Sequence, residues 1–157
     1  MNNIYEEKQR SSIMTIVIFL VVAFVFAVTL ISNWFEYGEV AFRQGDEAAF
    51  LAMAVIFVLM FIFFYNLKIV ITEDRLEFGF GIFKKKINKG EIKLVTVKKF
   101  EFKNYWGYGI RLGRLDKSWG YIAGNDKGVY LELENKKFFF TTDNPEQVVD
   151  LIKKTLM

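Results

Sequence analysis

The sequence predicts a two-part fold: a membrane helical hairpin followed by a mainly-β domain, a seven-stranded, partly open barrel capped by a C-terminal α-helix. Three observations predict it. Two apolar runs, Ile13 to Ile31 and Ala48 to Tyr65, contain no Asp, Glu, Lys or Arg. From Lys68 onward apolar residues recur with period two in short segments divided by turn residues. After Asn144 the period lengthens to that of an amphipathic helix.

At about 1.5 Å of helical rise per residue, each run reaches nearly the ~30 Å of a bilayer's hydrocarbon core. The chain is therefore divided into an N-terminal segment 1–12, a hairpin 13–66 with an external connector 32–47, and a β domain 67–157. A signal peptide is the competing reading of the first run. Glu6 and Glu7 precede it beside Lys8 and Arg10, the run is longer than a usual signal core, and no small-residue cleavage site follows closely. Trp34, Phe35 and Tyr37 suit the headgroup level at a helix end. Of the 21 Lys and Arg residues, all but Lys8, Arg10 and Arg43 follow Asn66, which places both termini on the cytoplasmic side. The localisation that follows is multi-pass in the inner membrane, with the barrel cytoplasmic.

In the β domain, Ile69 to Ile71 read as a short strand and Glu73-Asp74 as a turn. Leu76, Phe78, Phe80 and Ile82 then alternate with Arg75, Glu77, Gly79 and Gly81. Lys84 to Lys86 read as a turn or strand edge. A strand from Ile92 to Phe102 changes parity across Lys98 and Lys99, implying a bulge or break. Ile110 to Arg114, Trp119 to Ala123, Val129 to Glu134 and Phe138 to Phe140 complete the strands. The closing helix has Asn144 at its N-cap, Pro145 at its first position and Gln147 where a capping box places it.

Composition excludes much chemistry. Cysteine and histidine are both absent, so there is no thiol nucleophile, no imidazole acid or base, and neither of the usual soft metal ligands. No cofactor and no metal is expected. Gly107, Gly109 and Gly113 invite a nucleotide-loop reading, but their spacing misses the dinucleotide fingerprint and no helix pattern follows. Asp116, Asp126 and Asp143 stand in turns or at a helix entry, where Asp is ordinary. Net charge is only +3, and no stacking platform interleaves with the cations, which argues against nucleic acid.

The segments YWGYGIR (Tyr105 to Arg111), WGYIAG (Trp119 to Gly124), GVYLEL (Gly128 to Leu133) and TTDNPEQVVDLI (Thr141 to Ile152) carry a resemblance. In this order the chain resembles the bacterial pleckstrin-homology-like membrane proteins. The resemblance covers most of the chain and implies a hairpin followed by a PH-like barrel acting as a tethered binding or scaffolding module, without catalytic residues. Tyr105 and Tyr108 make a bulkier loop than the family's, and Asn135 stands where its turn often has Gly. The lipid pattern of eukaryotic relatives needs cations in the loop joining the first two strands, and that loop is Glu73-Asp74 here.

Two sets of residues remain as candidate sites. Trp106, Tyr108 and Arg111 have the composition of an interface hot spot, although aromatics there serve a barrel core equally well. Lys84, Lys85, Lys86 and Lys89 could lie against anionic headgroups, while a solvated strand edge that discourages aggregation explains them as simply. The functional expectation is a membrane-anchored PH-like scaffold, not an enzyme, that binds a protein partner or self-associates. The alternative is an accessory subunit of a larger membrane complex, and an enzyme using carboxylates such as Asp116, Asp126 or Asp143 comes last.

Overall fold

Alternation beginning at Lys68 does produce strands, but they pair into two facing sheets instead of a single barrel. The structure is a computed structural model and describes residues 3–10, 19–27, 52–53, 55–56, 59 and 65–157. The first sheet has the order β1-β2-β3-β4, with β1 Asn3–Arg10, β2 Asn66–Thr72, β3 Arg75–Phe80 and β4 Phe83–Asn88. All of its pairings are antiparallel. The second sheet comprises β5 Leu94–Lys99, β6 Gly109–Leu112, β7 Trp119–Ile122, β8 Lys127–Glu132 and β9 Lys137–Thr141. Its order is β5-β8-β9-β7-β6, and β7 and β9 run parallel.

The predicted helical hairpin is corrected. Among the described residues no helix is long and apolar enough to cross a membrane. Residues 19–27 are helical. The rest of the run 13–31, most of the run 48–65 and the whole connector 32–47 lie outside the described residues. The multi-pass, inner-membrane localisation and the membrane anchor, both of which rested on that hairpin, are not retained. The seven-stranded barrel is corrected as well: the described residues hold nine strands in two sheets.

Two strands lie where the sequence pattern does not place a regular one. Lys84 to Lys86, read as a turn or strand edge, are the middle of β4, an edge strand of the first sheet, because the chain reverses earlier, at Gly81-Ile82, where Gly81 takes a φ of 47°. Asn3–Arg10, read as a segment outside the β domain, is the edge strand beside β2, in register Lys8 to Lys68 and Arg10 to Asn66. Its inward face is polar. Glu7 accepts hydrogen bonds from the Tyr5 hydroxyl (2.5 Å), the Thr142 hydroxyl (2.6 Å) and the Asp143 backbone N–H (2.8 Å). Buried Gln9 accepts from the Thr141 hydroxyl (2.9 Å) and donates to Asp143 (3.2 Å). Burial, then the Glu7 carboxylate, pushes the Tyr5 phenol up to about 12.

Between the sheets the core is aliphatic with a cluster of aromatic rings at Phe78. Phe78 of β3 is fully buried, edge-on to Tyr121 (5.1 Å between ring centres) and stacked on Phe140 (4.6 Å). The C-terminal helix, Pro145–Leu156, buries Val148, Val149, Ile152 and Leu156 in the same core. Asn144 occupies its N-cap position without a side-chain cap bond; its backbone carbonyl accepts from Val148 N–H at 3.0 Å.

Candidate interaction surface at the edge of the second sheet

The second sheet has a second buried face, and the stretch from Phe100 to Trp119 is built on it. The expected strand through Phe102 ends at Lys99, and residues Phe102–Tyr105 form a single helical turn instead. This turn lays the Tyr105 ring on Phe139 (5.3 Å between centres), beside Ile122. Gly120 permits the approach: a Cβ there would stand 2.7 Å from the Tyr105 ring. Trp106 ends the turn in the left-handed region, φ 54°, with its N–H bonded to the Phe102 carbonyl at 2.7 Å.

After Gly107 and Tyr108 the chain enters β6, which pairs with β7 alone among the described residues and is therefore a sheet edge. The loop from Gly113 to Ser118 returns the chain into β7. A polar cluster beneath the loop holds it. Asp116 Oδ1 accepts from Asn104 Nδ2 (3.0 Å), Ser118 N–H (3.1 Å) and Ser118 Oγ (2.7 Å), and Oδ2 accepts from Lys98 Nζ (2.9 Å). Asn104 Oδ1 in turn accepts from Leu115 N–H at 2.8 Å. Since the single Ser118 hydroxyl proton goes to Asp116, the 2.6 Å contact between Ser118 and Tyr105 has the phenol as donor.

Burial by itself would raise the Asp116 carboxyl. The hydrogen bonds from Asn104, Lys98 and Ser118 outweigh it and hold the group well below the usual carboxylate range. Burial pushes the Tyr105 phenol well above its ordinary value; the Ser118 hydrogen bond opposes this and the Asp116 charge adds to it. Asp116 thus spends its acceptor capacity on fixing a loop.

What that loop and its neighbours present to solvent is apolar. Phe102, Trp106, Leu112, Leu115 and Trp119 are each between 46% and 75% exposed. Leu112 and Trp119 are cross-strand partners, on the face that carries Ile110 and Tyr121 into the core further along. They extend the core's apolar face out to solvent at the sheet edge.

Of the three residues proposed from sequence, Trp106 and Arg111 are exposed, while Tyr108 is half-buried against Phe100 at 5.8 Å. Arg111 Nε donates to the Tyr108 carbonyl at 3.0 Å. The guanidinium over the Trp106 ring, at 5.0 Å, belongs to Arg114. Sequence reasoning missed Phe102, Leu112, Arg114, Leu115 and Trp119. The available signal was Leu115, an apolar residue inside an otherwise polar loop, RLDKS.

The four lysines do not share one surface. Lys84 and Lys86 point outward from the first sheet, Lys86 lying 3.6 Å from Glu77. Lys85 is on the opposite face of β4, its Nζ 5.6 Å over the Phe138 ring. Lys89 follows the strand, its N–H bonded to the Asp74 carbonyl at 2.7 Å.

No group of three or more acidic residues that could hold a metal ion occurs among the described residues. No family model, no curated protein and no solved structure matches the chain.

Proposed function

We propose that this chain is a non-catalytic interaction module that binds a partner protein through the edge of its second sheet. The observation that carries the reading is the exposure of five large apolar side chains, Phe102, Trp106, Leu112, Leu115 and Trp119, within one stretch whose backbone is held by a buried polar cluster. Exposed large apolar side chains gathered in this way, as Leu112 and Trp119 are across β6 and β7, mark interaction sites. Trp and Arg, here Trp106, Trp119, Arg111 and Arg114, are the side chains most enriched where binding energy concentrates. A rigid loop also lowers the ordering cost of association.

The carboxylates support the non-catalytic side of the reading. Asp116 is engaged by four donors, and Asp143 Oδ1 accepts from Gln9 Nε2 and Asn125 Nδ2. Both act as structural acceptors. The accessory-subunit alternative depended on the hairpin as its contact surface and is not carried forward.

Site-specific photocrosslinking in the source cells tests the proposal. A photoreactive residue in place of Leu115 is expected to give a discrete protein adduct. The same residue in place of Lys136, exposed in the turn between β8 and β9, should give none. The Leu115 adduct should also vanish when Trp119→Asp is added. Equal adducts at both positions, or none at Leu115, would remove the reading.

A further inference from the structure

Resting on that reading, we infer the chemistry of the partner: an extended segment in which apolar residues alternate with Asp or Glu, added as a strand alongside β6. The geometry of the β6 and β7 pair points to it. Leu112 stands opposite Trp119, so one face of the edge is apolar. Arg111, the next residue along and on the other face, stands opposite Gly120, over which the Tyr105 ring lies, and its own side chain is exposed beside Gly107 with Nε bonded to the Tyr108 carbonyl. A strand pairing with β6 sends successive side chains to these two faces in turn. One set meets Leu112 and Trp119, and the other meets a guanidinium.

The surrounding charge has the same sign. Lys103, Arg111, Arg114 and Lys117 are exposed, and among the described residues none of them is in an ion pair. The only acids between Glu101 and Trp119 are Glu101 itself and Asp116, and Asp116 is matched by Lys98 at 2.9 Å. Unpaired cations interspersed with exposed apolar side chains are complementary to an acidic, apolar segment and repel a basic one. An edge charge such as Arg111 commonly blunts a sheet edge against its own kind, and this edge would likewise reject a second β6, which brings another Arg111. The main-chain groups along β6 supply the affinity common to strand addition, and the alternating pockets supply selectivity.

The experiment selects short random peptides by display against the full chain at low salt, then measures binding of the recovered peptides through tryptophan fluorescence. Recovered sequences are expected to alternate apolar residues with Asp or Glu. Their binding should weaken by about tenfold in Arg111→Glu and in Arg114→Glu, and should weaken further as salt screens the contacts. Replacing the acids of a recovered peptide with Lys should lose binding to the natural chain and restore it to Arg111→Glu. Methylating alternate backbone nitrogens of the peptide should abolish binding.

Recovered sequences without acidic bias, or indifferent to both charge reversals, would overturn the acidic partner. Undiminished binding by the methylated peptide would overturn strand addition. If non-acidic peptides are recovered and still lose binding in Trp119→Asp, this inference fails while the interaction surface stands. If no peptide is enriched, both fail.

Discussion

Asp116 shows at the scale of one residue how a group that looks chemical becomes structural. Its partners Asn104 and Lys98 lie 12 and 18 positions away in the chain, so nothing local in RLDKS reveals them. Asp116→Asn is expected to destabilise the protein by about 1–3 kcal/mol at neutral pH, because charge-assisted hydrogen bonds are lost while their donors stay buried. The pH dependence has a definite sign. The folded-state pKa is depressed, so the stabilisation is present above the unfolded carboxyl's value of about 3.9 and is lost as pH falls below it. Urea denaturation at neutral and acidic pH should therefore find the gap between the natural chain and Asp116→Asn narrowing in acid. A gap that stays constant would assign Asp116 no special ionisation. The turn reading of Asp116 was legible in the sequence because Asp is common in loops. Its role as the hub beneath Leu115 was not, since hydrogen bonds across the sheet leave no periodic trace.

Among the elements, β1 has the least obvious hold. An edge strand normally docks through an apolar face, but the inward residues here are Tyr5, Glu7 and Gln9, and the Glu7 carboxylate joins β1 to the chain just before the C-terminal helix. Glu7→Ala removes three accepted hydrogen bonds and leaves the Asp143 N–H without this partner. The expected cost is about 2 kcal/mol, with faster amide exchange concentrated in β1 and at Asp143. Exchange rising evenly over both sheets would mean that β1 is not a separable unit. The alternation Tyr5, Glu7, Gln9 is in the sequence, yet period-two patterning identifies a strand only when one face is apolar, and this one is not. In β4, read as a turn or strand edge, three consecutive lysines conceal that Lys85 covers Phe138 while its neighbours face water. The end of β5 was misplaced because Phe100 and Phe102 continue a plausible strand parity, whereas the Tyr105 ring docking above Gly120 favours a helical turn.

For the whole molecule, the two sheets share one core in which Phe78 meets Tyr121 from β7 and Phe138 and Phe140 from β9. Phe78→Ala is expected to cost about 3–5 kcal/mol, measured by thermal or urea unfolding, because rings held by separate sheets cannot collapse fully into the space left. Leu112→Asp, in contrast, should leave unfolding within about 0.5 kcal/mol of the natural chain, since its side chain is already exposed and away from the core. If that substitution unfolds the protein, the patch belongs to the core and is no docking surface.

By itself the sequence determined the mainly-β character after residue 66, the apolar faces of β2, β3, β8 and β9, the closing helix and the absence of imidazole and thiol chemistry, because local periodicity and composition encode these directly. Tertiary structure alone decided that Asn3–Arg10 completes the first sheet, that β9 lies between β8 and β7, and that Leu112, Leu115 and Trp119 emerge together at one edge. Strand order and polar pairing are settled by contacts between distant residues, and period and propensity carry no information about which strands become neighbours.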